Sequence, residues 1–153
     1  MARVNYREGD WFAVPLRDGG FAVGVIARAN PNGALLGYFF GPKRAVVPSI
    51  DDIADLGVSE AELVGKFGHL GLTHGTWPIL GRLKDWDRAA WPMPVFGRFE
   101  ELTGRAFAVT YADDDPNSHP RETEIEPVEL TRYPRDGLMG AGYVEIVLTK
   151  SLY

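Results

Sequence analysis

The chain has 153 residues, of which 45% are hydrophobic and 24% are charged, as is typical of a folded globular domain. Cysteine is absent, so disulfide bonds, cysteine zinc sites and a catalytic thiol are excluded. The formal net charge is −5, which disfavours direct nucleic-acid binding because that binding relies on lysine and arginine neutralising phosphates. We expect one domain spanning residues 1–153.

The first third of the chain predicts an antiparallel meander of three strands. Residues 10–16 form the first expected strand, and Asp18-Gly19 is a strong hairpin signal. The second strand, at 21–29, is apolar on both faces, which indicates that another layer covers it. A turn at 30–33 leads to a third strand at 34–40. Residues 1–8 lack the apolar core of a signal peptide, and the apolar stretch at 21–27 is too short to cross a bilayer. We therefore expect a cytoplasmic protein without membrane association.

The rest of the chain predicts more short strands and little helix. Ser59 and Glu62 have the spacing of a capping box, which predicts a short helix ending at Gly65. We expect strands at 67–73 and 76–83, then at 107–111, 122–126 and 143–149. The predicted fold is mainly β, in the α+β class. Its core would be an antiparallel, strongly bent sheet or an SH3-like partial barrel, with one short helix.

The known catalytic and metal-binding motifs are not matched. Gly65-Lys66 is followed by Phe67, so a phosphate-binding loop would lack its metal-binding hydroxyl, and no serine stands in a nucleophile elbow. His69 and His74 would lie on opposite faces of a continuous strand. The aspartates at 113–115 are followed by Pro116 rather than by the pattern of a calcium loop. We expect a non-enzymatic protein with no cofactor and no metal.

Negative charge is concentrated in residues 113–129, which carry −6, leaving the remainder near +1. Arg121 is the one basic residue there, against Asp113, Asp114, Asp115, Glu122, Glu124, Glu126 and Glu129. Such a stretch would attract a basic partner surface. It is equally typical of a solvated loop and an edge strand whose charges block aggregation.

Three tryptophans, Trp77, Trp86 and Trp91, form a second candidate binding feature. Tryptophans on irregular segments are frequent interface hot spots. Two alternatives stay open: the rings could cover a small core, or they could line a ligand pocket.

Several segments resemble the immunity protein 26 family. They are residues 6–16 (YREGDWFAVPL), 18–26 (DGGFAVGVI), 36–40 (LGYFF) and 75–81 (GTWPILG), although Leu80 interrupts the family's "G-x-W-x-x-I-G" spacing. The resemblance is clearest over the first half of the chain.

The resemblance implies an immunity protein of a bacterial polymorphic toxin system, which binds a cognate toxin and masks its active site without catalysis. It transfers no catalytic residues. Many such toxin domains are nucleases with basic clefts, which an acidic surface could occlude. We expect Asp113, Asp114, Asp115, Glu122, Glu124 and Glu126 to steer the partner, and Trp77, Trp86 and Trp91 to anchor it. The alternatives are a small ligand-binding β domain, a small enzyme with a tryptophan-lined pocket, or an adaptor module. The oligomeric state stays open.

Overall fold

The computed structural model describes residues 5–152. In this range the strands are β1 (Asp10–Pro15), β2 (Phe21–Ala29), β3 (Ala34–Arg44), β4 (Leu63–Gly68), β5 (Ile79–Arg82), β6 (Phe96–Glu100), β7 (Arg105–Thr110), β8 (Arg121–Ile125) and β9 (Leu138–Met139). The α-helices are α1 (Leu70–Thr73) and α2 (Ala141–Ser151). Short 3-10 helices lie at Ile50–Ile53, Val58–Glu60, Arg88–Ala90 and Pro127–Arg132.

Six strands form the large sheet, in the order β5-β1-β2-β3-β4-β9. Its pairs are antiparallel except β4 with β9. The predicted meander is confirmed as β1, β2 and β3, with Val25 opposite both Trp11 and Tyr38. The turn between β1 and β2 places Gly19 and Gly20 at φ values of 97° and 78°, a conformation that side chains with a Cβ rarely adopt. The two glycines thus fix the register of the hairpin.

The large sheet is buried on both faces, because side chains alternate along each strand. Phe12, Ile26 and Phe39 point to a core that helix α2 covers. Trp11 and Tyr38 point to a second core on the opposite face, which includes residues of the small sheet described below. Complete burial of each such side chain contributes roughly 1.5–3 kcal/mol. The two covered faces explain why β2 is apolar at successive positions.

The small sheet is antiparallel, in the order β6-β7-β8. Phe96 and Val109 are opposite each other and belong to the second core. On the other face of the small sheet lies the 3-10 helix Pro127–Arg132, where a Cβ at Gly97 would come within 3.0 Å of Leu130. The prediction of a mainly β fold is confirmed, and within residues 5–152 the strands form two sheets rather than a closed barrel.

The structure corrects the prediction of a strand at 143–149, because these residues lie in α2. Val144, Leu148 and Leu152 are buried at a spacing of four residues and face the first core. This spacing fits a helix. The β-branched and aromatic side chains of the segment have a preference for strands, which packing against the large sheet overrides.

The middle of the chain also differs from the prediction. The strand expected at 67–73 is wrong, because β4 ends at Gly68 and Leu70–Thr73 form α1. The strand expected at 76–83 shortens to β5, which pairs with β1 rather than with β4. The expected helix after Ser59 is wrong as well. Only the turn Val58–Glu60 forms there, and the Gly57 N–H donates to the side chain of Glu60 at 3.1 Å. Glu62 instead donates its N–H to Phe39 O at 2.8 Å, leading directly into β4.

Candidate partner-binding surface

The acidic loop, residues 113–115, is fixed to the end of β2 by a buried arginine. Arg28 is 1% exposed and donates to both Asp113 O and Asp113 Oδ1, the second at 3.2 Å. The same guanidinium donates to Ala27 O at 2.6 Å and to Trp91 O at 2.9 Å. The side chain of Arg28 therefore joins β2, the segment that contains Trp91, and the acidic loop.

A second contact fixes the other end of this loop. Asn30 Nδ2 donates to Asp115 Oδ1 at 2.7 Å, and the Asn117 N–H donates to the same oxygen at 2.9 Å. Asp114 lies between the two attachment points and is exposed. Across residues 5–152, no hydrogen bond or ion pair engages its carboxylate. The loop therefore presents Asp114 to solvent from a fixed backbone.

The acids of β8 lie on one face of the small sheet. Glu122 accepts from Arg98 Nε at 2.9 Å and from Arg98 Nη2 at 3.1 Å, and Glu124 Oε1 accepts from Arg105 at 2.5 Å. The hydrogen bond with Arg105 lowers the pKa of Glu124, and that with Glu122 raises the pKa of Arg98. The two guanidiniums lie 4.5 and 5.4 Å from the ring centroid of Phe107. Glu122 and Glu124 are thus held in place by cations from β6 and β7.

Ion pairs neutralise much of the negative charge that residues 113–129 carry. Four of the seven acids of residues 113–129 form ion pairs with arginines. The pairs are Asp113–Arg28, Glu122–Arg98, Glu124–Arg105 and Glu129–Arg132. In the described part of the chain, Asp114, Asp115 and Glu126 have no arginine or lysine partner. Negative potential should therefore be strongest around Asp114 and Glu126, both of which are exposed.

The tryptophans are mostly core residues. Trp77 is 0% exposed, stacks on Phe12 at 5.5 Å between ring centroids, and donates its indole N–H to Glu145 at 2.8 Å. Trp91 is 8% exposed and packs edge-on against Trp11 in the second core. The expectation that the tryptophans are exposed anchors is therefore wrong for Trp77 and Trp91, because the two cores enclose them.

Trp86 is half-buried and stacks on Trp91 at 6.3 Å between ring centroids. Its indole N–H donates to Glu8 at 3.2 Å, and Glu8 also pairs with Arg88. Trp77 lies on the opposite face of the large sheet from Trp86 and Trp91. The three rings therefore do not line one pocket, which corrects the prediction of a tryptophan-lined ligand site.

A partly buried polar cluster, formed by Lys66, Tyr111 and Asp136, is not indicated by the sequence. Lys66 Nζ lies 2.6 Å from Tyr111 Oη and 3.2 Å from Asp136 Oδ1, and Tyr111 donates to Asp136 at 2.7 Å. Burial, followed by the hydrogen bond to Asp136, raises the pKa of Tyr111. Lys66 lies in β4, Tyr111 directly follows β7, and Asp136 lies in the segment before β9. Their contacts depend on the tertiary fold, so no sequence spacing indicates them.

The histidines and acidic residues within 5–152 form no metal site, and no helix there could span a membrane. No group of three or more histidine, cysteine, aspartate or glutamate side chains is arranged to hold a metal ion there. His69 instead pairs with Tyr6, with 2.7 Å between Nδ1 and Oη. No helix in the same range is long and apolar enough to cross a membrane.

Comparison with known families supplies the remaining observation. Residues 7–108 match the sequence model of a family described as Immunity protein 26. The chain belongs to the Immunity protein 26 family. Membership in this family indicates an immunity protein role, a non-enzymatic function and a protein toxin as partner. No curated protein and no solved structure matches the chain.

The range matched to the Immunity protein 26 family covers β1 to β6 and the start of β7. It includes Arg28 and Asn30, the two residues that hold the acidic loop. The acidic loop and β8 follow the matched range, so the match itself assigns no role to their carboxylates.

Proposed function

We propose that this protein, acting as one domain of residues 1–153 in the bacterial cytoplasm, binds a cognate toxin of a polymorphic toxin system. Binding is stoichiometric and masks the toxin's active site. The family match carries this proposal. An interface of ordinary size would bury about 1,600 Å² in total.

We place the partner-binding surface on the acidic loop and the adjacent strand β8. It comprises Asp113, Asp114, Asp115, Glu122, Glu124 and Glu126, with the accessible edge of Trp86 as an apolar contact. Trp77 and Trp91 are buried in the cores and stabilise the fold rather than touching the partner. A pre-organised acidic surface suits a basic partner, because fixed carboxylates lose little conformational entropy on binding. The proposal extends to a toxin with a basic cleft, such as a nuclease.

Co-expression tests the proposed function directly. The toxin domain encoded next to this gene should arrest growth when expressed alone, and co-expression of the full chain should restore growth. If the full chain accumulates as folded protein and growth is not restored, the proposal is wrong for that toxin.

A charge variant tests the surface. Asp114→Lys should weaken rescue, because this side chain is exposed and its replacement removes no contact that holds the loop. Asp18→Lys is the control, since Asp18 precedes β2 whereas Arg28 lies near its end, about 30 Å away for nine residues of strand. The variant also breaks the ion pair of Asp18 with Lys43, but such an exposed pair contributes little to stability. Equal effects of the two variants would place the interface elsewhere.

A further inference from the structure

The two sheets have four outer edges, and three of them are covered, short or irregular. At one side of the large sheet the outer strand is β9, which has only two residues. The edge of β6 is occupied at Gly97, whose N–H donates to Pro134 O and whose carbonyl accepts from the Asp136 N–H, both at 2.8 Å. Strand β5 has four residues, and its pairing with β1 is interrupted by a register shift between Trp11 and Phe12.

The outer edge of β8 is different. Among residues 5–152, no strand or loop pairs with it, and four of its five residues are exposed. In an edge strand, alternate residues direct their N–H and C=O groups away from the sheet. Five residues extend over about 17 Å. This edge offers unpaired backbone donors and acceptors over a length sufficient for a further strand.

We propose that the outer edge of β8 receives an extended segment of the partner protein as a fourth strand of the small sheet. The segment carries lysine or arginine at alternate positions. This inference rests on the proposed function, because it identifies the part of the toxin that contacts the acidic surface. In such strand addition, backbone hydrogen bonds supply affinity and the alternating side chains supply specificity.

The carboxylates of Glu122 and Glu124 favour basic side chains on the partner, although each is already paired with an arginine of the same sheet. Glu122 and Glu124 are two residues apart and therefore lie on the same face of β8. A residue opposite either of them on an added strand would lie about 5 Å away, close enough for an opposite-charge pair. Both oxygens of Glu122 already accept from Arg98, whereas Glu124 uses only Oε1 for Arg105, so its Oε2 can accept from a second cation. The existing ion pairs orient both carboxylates before the partner arrives.

The same charges disfavour a second copy of this chain as the occupant. A two-fold antiparallel pairing centred on Thr123 would place Glu122 of one copy opposite Glu124 of the other. Like charges in directly opposite positions destabilise a strand pair. A basic segment of a different protein avoids this repulsion.

A model peptide tests the inference on the full chain. The isotope-labelled protein would be titrated with the seven-residue peptide KVKVKVK, and backbone amide resonances would be followed. We expect saturable shifts at residues 121–125 and cross-strand contacts between the peptide and β8. The variant Glu122→Gln/Glu124→Gln should bind about fivefold more weakly at low salt, as expected for the loss of opposite-charge pairs.

The controls separate strand addition from general attraction between opposite charges. The peptide EVEVEVE should not bind, and Glu101→Gln, an exposed acid between β6 and β7, should leave the affinity for KVKVKVK unchanged. The inference is overturned by absent shifts at millimolar peptide, by shifts confined to residues 113–115, or by equal effects of the glutamine variants. It is also overturned if the chain itself dimerises through β8.

Failure of this inference can be distinguished from failure of the proposed function. Growth rescue by the wild-type chain with no peptide binding at β8 would reject strand addition and leave the immunity role intact. Absence of rescue would reject the immunity role against that toxin whatever the peptide does.

Discussion

The guanidinium of Arg28 lies 3.2 Å from the carboxylate of Asp113, and the burial of the two groups is opposite. The Arg28 side chain is 1% exposed, whereas that of Asp113 is 71% exposed. The pair therefore joins the interior of the protein to the surface proposed to meet the partner. Because only Arg28 is buried, we expect Arg28 to contribute more than Asp113 to the free energy of unfolding.

Replacing Arg28 by methionine should destabilise the fold by about 3 kcal/mol, because buried carbonyl groups of Ala27 and Trp91 lose their donor. Asp113→Asn should cost less than about 1 kcal/mol, since an exposed ion pair contributes little and Arg28 keeps its backbone acceptors. Urea denaturation of both variants measures the difference. Equal losses would show that the carboxylate, rather than the backbone acceptors, accounts for the stabilising effect of Arg28.

Burial of Trp77 predicts a structural role that Trp86 does not share. Trp77→Ala should reduce the free energy of unfolding by about 3–5 kcal/mol, as for other large-to-small core changes. Trp86→Ala should have a smaller effect, because this ring is only half-buried. Chemical denaturation checks the stabilities. The prediction fails if the two variants are equally stable.

Lys66 and Asp136 should be strongly coupled, because their paired side chains are only 11% and 13% exposed. Lys66→Met or Asp136→Asn alone leaves the other polar group in a largely buried site, at a cost of about 3 kcal/mol. Together they should cost at least about 1 kcal/mol less than the sum of the single changes. A double-mutant cycle by denaturation supplies the number. Additive losses would mean that the two groups act independently.

The raised pKa of Tyr111 leads us to expect a loss of stability at alkaline pH. Burial and the hydrogen bond to Asp136 raise its pKa above the ordinary value of 10.0. The tyrosine therefore loses its proton at lower pH in the unfolded chain than in the folded one. Its contribution to stability is fully present below about pH 10 and is lost as pH rises above that value.

The matched variant for this effect is Tyr111→Phe. The difference in unfolding free energy between wild type and variant should be constant at neutral pH and should shrink above about pH 10. Denaturation curves collected from neutral to alkaline pH give this difference. Parallel pH dependence of the two proteins would contradict the assignment.

Local signals explain the parts of the fold that the sequence predicted. The strands β1, β2 and β3 follow from alternation and from the glycines at 19 and 20, which act within a few residues. By contrast, Arg28 and Asp113 are 85 residues apart, and no local pattern indicates their contact. The charge of residues 113–129 could be counted, but its neutralisation by Arg98 and Arg105 depends on the register of the small sheet.

The wrong predictions for residues 143–149 and for Trp77 have the same physical origin. The segment containing Val144 and Leu148 has strand-forming side chains, yet the first core selects a helix for it. Trp77 was expected to anchor the partner because tryptophans are frequent interface hot spots. It is buried because its segment folds over the large sheet beside Phe12. For both segments, packing against the large sheet rather than local sequence preference determines the structure.

Electrostatic steering of a basic toxin by the acidic surface is central to the proposed function. Its most direct test is the association rate of the purified chain with the toxin domain encoded beside it, measured as a function of salt. The test variant is Asp114→Lys/Glu126→Lys, and the control is Asp18→Lys/Asp55→Lys, which has the same change in net charge. At low salt the test variant should associate about tenfold more slowly than the control, and the gap should close near 1 M salt, where screening acts over about 3 Å. Equal rates for the two variants at low salt would contradict the claim.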